Sequence, residues 1–158
     1  MMNEEFEWIT CDGSNEDFNF MCRRLDEDLD RRLGREKRSP YVQFNGTENI
    51  SEVMLVYNEN RPAASGAIRK YDKDTMELKR IFVAPEFQGK GIGTKLVHNL
   101  EEWAKTLGCT KVILETGSCL IEACGLYKKL GYKVIPNYGP YENMADSLCM
   151  EKDLYASA

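Results

Sequence analysis

Apolar positions recur along this chain with two different periods, and the changes of period mark its elements. Phe18, Met21, Cys22, Leu25, Leu29 and Leu33 return every three or four residues, which predicts an amphipathic helix over 18–33. The charges between them, Arg23, Arg24, Asp26, Glu27, Asp28, Asp30, Arg31 and Arg32, read as a solvated face of weak surface pairs. Residues 6–10 read as a short strand ahead of a turn at Asp12-Gly13-Ser14-Asn15. The polar stretch 34–49, interrupted by Ser39-Pro40, reads as a loop or a short second helix. Three strand-like runs follow, 52–57, 63–71 and 76–83, and the turns at 58–62 and 72–74 are short enough for hairpins. Such a series predicts an antiparallel meander.

After Pro85 the period returns to that of a helix. Ile92, Leu96, Val97, Leu100, Trp103, Ala104 and Leu107 share one face, and Gly108 supplies the stop. His98 lies beside this stripe and reads as a surface residue. Residues 111–115 predict a buried strand, 121–130 a helix ended by Gly131, 132–135 a strand, 136–146 a loop and 147–154 a last strand. The pattern describes one mixed α/β domain over 1–158, a length that buries about two-thirds of the unfolded chain's surface.

Composition narrows the partners. A net charge of −5 argues against a general basic field for nucleic acid or an acidic membrane, and it mildly favours a cationic substrate. Residues 1–8 lack the basic and apolar regions of a secretory signal, and no run approaches the length of a membrane span. The six cysteines include no Cys-x-x-Cys pair and there is a single histidine. Together these predict reduced thiols, no metal site and a cytoplasmic location. A monomer or a homodimer is expected.

The most informative segment is Gln88-Gly89-Lys90-Gly91-Ile92-Gly93, followed by Thr94. A strand that runs through glycines into a helix leaves unpaired N–H groups at the positive end of the helix dipole, which suits an anion. Backbone amides of residues 88–94 can converge on a diphosphate because the glycines carry no Cβ. The dinucleotide fingerprint does not fit, since the third glycine falls at 93 rather than 94 and the preceding strand belongs to a meander. The P-loop pattern does not fit either, since Thr94-Lys95 follows Gly93.

The loop resembles the pyrophosphate loop of the GNAT acetyltransferase superfamily, Gln/Arg-x-x-Gly-x-Gly/Ala. Leu114-Glu115-Thr116-Gly117 is similar to that family's fifth strand, and Ala123-Cys124-Gly125-Leu126-Tyr127-Lys128-Lys129-Leu130-Gly131-Tyr132 to its helix segment. The resemblance covers about residues 50–154 and implies a twisted, mostly antiparallel sheet of six or seven strands with about four helices. It also implies acetyl-CoA as co-substrate and direct attack by an amine, with no catalytic cysteine. The backbone of Ile81, Phe82 and Val83 would serve the oxyanion and the pantetheine, and Gln88–Thr94 the diphosphate. Tyr127 is the implied acid for the departing thiolate. Glu77, sixteen residues before Gly93, matches a glutamate that family members use as base, and Glu115 competes with it. Strand alternation would place Glu77 on one face with Lys79, Ile81 and Val83. Many members carry an asparagine seven residues before the tyrosine; that position is Leu120, so this contact is lost or replaced. Tyr41, Phe44, Tyr138 and Tyr141 are candidate walls of an acceptor pocket, and Arg69 or Arg80 could meet a substrate carboxylate. A small-molecule amine is the expected acceptor; protein N-terminal or lysine acetylation, and a non-catalytic acyl-CoA sensor, are the alternatives.

Overall fold

A computed structural model of the chain describes residues 5–44, 46–47 and 49–156. Residues 1–4 and 157–158 of the expected domain lie outside them, as do 45 and 48 in the polar stretch. The strands are β1 (Glu7–Cys11), β2 (Glu52–Asn58), β3 (Arg61–Asp72), β4 (Thr75–Val83), β5 (Lys111–Gly117), β6 (Lys133–Ile135) and β7 (Ser147–Asp153). The helices are α1 (Glu16–Leu33), α2 (Arg35–Arg38), α3 (Ile92–Thr106) and α4 (Ile121–Lys129). Among the described residues one seven-stranded sheet runs in the order β1-β2-β3-β4-β5-β7-β6, with β4 and β5 parallel and the other neighbours antiparallel.

Local sequence explains most of these boundaries. Asn15 caps α1, its Oδ1 accepting from the N–H groups of Asp17 and Phe18 at 2.9 and 3.0 Å. Gly34 ends that helix with φ 85°. Glu59 and Asn60 both take positive φ, 48° and 66°, so two residues suffice to turn β2 into β3. Strand β3 therefore includes Pro62, which sits opposite Tyr57 beside a register shift; bulges tolerate proline where regular pairing does not. The polar stretch after Gly34 holds both expected possibilities in part, a one-turn helix α2 and a 3₁₀ segment at Ser39–Phe44.

The sheet is covered on both faces. Leu96, Leu100 and Ala104 of α3 pack in one cluster with Met54, Val56, Ile68, Met76 and Leu78. Phe18 and Cys22 of α1 pack in a second cluster with Val53, Leu55 and Ala67. His98 is exposed, as expected. Leu107 is exposed too, against expectation, because it falls at the C-cap of α3 rather than on its buried stripe. The charged face of α1 is not only solvated: Asp26 accepts from the buried Arg38 and Arg80, both at 2.8 Å.

Two features open the sheet. The β4–β5 ladder runs from the Thr75–Lys111 rung to the Leu78–Leu114 rung and stops, although β4 continues to Val83 and β5 to Gly117. The β3–β4 register also shifts between the Lys79 and Phe82 rungs, where Arg80 adopts φ 59°. This extra residue breaks the strand alternation. Glu77 and Lys79 do share a face, but Ile81 and Val83 lie on the opposite, α3 side. A Cβ on Gly66 would meet Ile81 Cδ1 beside Leu96 and Leu100, and one on Gly93 would meet Val83 Cγ2. No described helix is long and apolar enough to cross a membrane.

Candidate active site

The loop after β4 has the shape an anion requires. Gly89 and Gly91 take φ 80° and 79°, a conformation that disfavours side chains, and nothing lies within 4 Å of where either Cβ would stand. Gly91 is the N-cap of α3 and no side chain caps it. Its carbonyl accepts from Lys95 N–H at 3.2 Å, so the N–H groups of Ile92, Gly93 and Thr94 precede the first helical bond. Gln88 serves by bracing: its Nε2 donates to Val83 O at 3.0 Å, tying the loop to the end of β4. Lys90 and Thr94 are exposed beside it, whereas Ile92 and Phe82 are buried and offer only backbone.

Beyond the last β4–β5 rung the diverging strands bound a cleft of about 180 Å³, which α1, α2 and α4 complete. Leu25, Leu29 and Leu33 of α1 form its apolar wall, so the second half of the α1 stripe faces the cleft, with Leu25 also packing against the core. Tyr127 of α4 lines it, 8% exposed, with its ring edge-on to Tyr132 at 5.8 Å. Among the described residues the Tyr127 hydroxyl has no hydrogen-bond partner. Burial raises its pKa, so it remains a proton donor.

The two candidate carboxylates are placed differently. Glu115 lines the cleft, and burial raises its pKa above the ordinary range although Ser147 Oγ donates to Oε2 at 2.7 Å. Glu77 is 4% exposed and does not line the cleft. Its Oε1 accepts from Arg69 Nη2 at 3.0 Å and its Oε2 from Tyr138 Oη at 2.7 Å. Arg69 is thereby engaged with Glu77, and Arg80 reaches the cleft wall while bonded to Cys22 O and Asp26. The four aromatic residues do gather. Tyr141 stands 6.5 Å from Tyr41, 5.6 Å from Phe44 and 5.7 Å from Tyr138, with Tyr41 and Tyr141 on the cleft wall. Leu120 packs against Gly117, at contact distance from where a Cβ there would stand, and an apolar side chain cannot replace the hydrogen bonds of an asparagine.

Two cleft residues and one beside them escaped the sequence reading. Arg38 was hidden in a stretch without periodicity. Strand alternation places Lys79 only on a face shared with Glu77; its Nζ donates to Phe44 O at 3.1 Å and burial lowers its pKa. Ser147 meets Glu115 only through the β5–β7 pairing.

The sequence profile of the acetyltransferase (GNAT) family matches residues 16–132. The chain belongs to this family. Among its relatives, the IAA acetyltransferase of Azospirillum brasilense is 38% identical over 78 residues, which cover 49% of this chain and 51% of that protein. Streptothricin acetyltransferase A of Bacillus subtilis is 36% identical over 89 residues, 56% of this chain and 49% of that protein. The chain thus spans about half the length of these curated relatives. Among solved structures, the PaiA N-acetyltransferase of Thermoplasma acidophilum in complex with coenzyme A superposes with a TM-score of 0.71 at 19% identity. That superposition covers 94% of this chain and 99% of the other. At such identity the likeness establishes the fold, a GNAT sheet split between β4 and β5.

Proposed function

We propose that this GNAT-family chain transfers an acetyl group from acetyl-CoA to the amine of a small molecule. The observation that carries the reading is the juxtaposition of an uncapped helix N-terminus with a split sheet. The glycine loop lies at the end of β4, whose residues 79–83 have no rung to β5. Open space above Gly89 and Gly91 fits a diphosphate, with the amides of residues 88–94 as its donors. Bound there, the thioester supplies an activated acetyl group.

The residues divide the work as follows. The β4 backbone at Ile81, beside the gap, offers N–H donation to the carbonyl oxygen as negative charge develops. Glu115 accepts a proton from the attacking amine, because it faces the cleft and burial raises its pKa, which makes it a stronger proton acceptor than an exposed carboxylate. Tyr127, protonated and without a hydrogen-bond partner among the described residues, donates to the departing thiolate. Glu77 holds Arg69 and Tyr138 and thereby the floor behind Lys79 and Tyr141. The relatives that act on IAA and streptothricin support a small-molecule acceptor.

Calorimetry with acetyl-CoA, followed by thiol release over a library of small amines and peptides, tests this reading. Micromolar binding with release driven by small amines is expected. Binding with no release from any amine would reduce the chain to a sensor, and release from peptides alone would move the acceptor to proteins.

A further inference from the structure

Charge in the cleft runs against the charge of the chain. The chain carries −5, yet the cleft wall includes four cations, Lys37, Arg38, Lys79 and Arg80, against two carboxylates, Glu115 and Asp146. The arrangement of two of these cations is specific. Arg80 occupies the bulge at φ 59°, a strained conformation for any residue with a Cβ, and such strain persists where surrounding contacts enforce it. Regular alternation would send residue 80 to the α3 side with Leu78; the bulge turns it toward α1, where it meets Cys22 O and Asp26.

Asp26 then clamps two guanidiniums side by side. Its Oδ1 accepts from Arg80 Nη2 and from Arg38 Nη2, each at 2.8 Å, and Arg38 Nε lies 3.3 Å from Asp30 Oδ1. The carboxylates of this clamp are 42% and 37% exposed and face water, whereas the guanidinium side chains are 7% and 5% exposed. Water therefore screens the negative charges far more than the positive ones. The donors are also not exhausted. Among the described residues each guanidinium hydrogen-bonds through Nη2 alone; Nε of both is buried, that of Arg38 against Asp30, so Nη1 of each is the donor left for a ligand. Two adjacent guanidiniums, each with a spare Nη1 on the cleft wall, match a carboxylate, whose two oxygens can accept one charge-assisted bond from each.

We infer that the acceptor carries a carboxylate, held at the Arg38–Arg80 pair while its amine faces Glu115. The substrate class is an aminocarboxylate, such as an amino acid, with an apolar portion against Leu25, Leu29 and Leu33. This rests on the transferase reading above and selects within it. A polyamine would bring further positive charge against four cations, and like charges in a poorly solvated cleft reject a ligand effectively.

The test is calorimetry on the free chain and on the chain saturated with a non-reactive thioether analogue of acetyl-CoA. The titrants are α-, β- and γ-amino acids, their decarboxylated amines and spermidine. At least one amino acid is expected to bind about tenfold or more tightly than its decarboxylated counterpart and than spermidine. Arg38→Gln should remove most of that difference, and Arg38→Lys, which keeps the charge and loses the fork, should remove part of it. The inference is overturned if no amino acid binds, if the decarboxylated amines bind as well, or if Arg38→Gln weakens both classes equally. The wild-type comparison decides the matter even if Arg38→Gln fails to fold. Thiol release over the same panel reports separately on the transferase reading. Selective amino-acid binding without release would leave the carboxylate site standing and remove the activity. Release that favours spermidine or the decarboxylated amines would do the reverse.

Discussion

Replacing Gly91 by alanine separates the two reasons for a glycine at the head of α3. The residue has φ 79°, and nothing lies within 4 Å of the added Cβ. The free chain therefore suffers no clash, only the conformational penalty of a left-handed alanine, about 1–2 kcal/mol. For a chain of this size that corresponds to a fall in Tm of about 2–8 °C. Gly108 provides a matched control, since it has φ 85°, equally open surroundings and a place just past the other end of α3. Gly108→Ala should lose about as much stability. Only at position 91 does the new methyl group stand where a diphosphate would approach the amides of residues 88–94. Losing one charge-assisted N–H bond costs about 1.5–3 kcal/mol, so the Kd for acetyl-CoA should rise about 10- to 100-fold in Gly91→Ala and stay within about twofold in Gly108→Ala. Urea denaturation of the free proteins and calorimetry with acetyl-CoA measure the two quantities. Equal affinity in the two variants would refute the loop as the diphosphate site, and a much larger stability loss at 91 would show that the loop is packed and not open.

Other outcomes follow from the cleft and the core. Glu115→Gln should lower turnover about 10²- to 10⁴-fold and abolish an acid limb that lies above the ordinary carboxylate range, whereas Glu77→Gln should keep that limb; pH–rate profiles of both variants check this. Because the folded-state pKa of Glu115 is raised, its contribution to stability is full in acid and is lost as pH rises through that pKa. Glu115→Gln should accordingly be more stable than wild type at neutral pH, with the gap closing in acid, as urea midpoints at the two pH values would register. Tyr127→Phe should lower kcat and leave acetyl-CoA affinity nearly unchanged, and wild-type turnover would reduce Tyr127 to a packing residue. Glu101, 4% exposed, accepts from Tyr132 Oη at 2.7 Å and Lys152 Nζ at 3.0 Å. Glu101→Ala should destabilise the fold by about 3 kcal/mol, and a urea-derived loss below about 1 kcal/mol would show the pair to be hydrated.

Much of this molecule was legible in its residues, for local reasons. Element order, the hairpins, the α1 cap and the glycine loop depend on periodicity, turn chemistry and backbone conformation, all of which neighbours in sequence control. The loop could be read as an anion site before any fold was known, because positive φ and an uncapped helix start are properties of a few consecutive residues. Even there the limit was visible. Strand alternation placed Ile81 and Val83 beside Glu77, and one bulge residue, Arg80, reversed them.

What the tertiary structure decided is which distant side chains share the cleft. The choice between Glu115 and Glu77 depended on where the β4–β5 ladder ends and on Arg69 and Tyr138 occupying Glu77. Arg38, in a stretch with no pattern, became a wall of the cleft because Asp26 and Asp30, on the preceding helix α1, hold it. Burial also gave ordinary residues their chemistry, since the raised pKa of Glu115 and the lowered pKa of Lys79 arise mainly from desolvation. Desolvation is a property of packing across the whole fold, so residue type and spacing cannot encode it locally. Sequence alone determined the elements and the glycine loop; the three-dimensional packing determined which carboxylate and which arginines line the cleft.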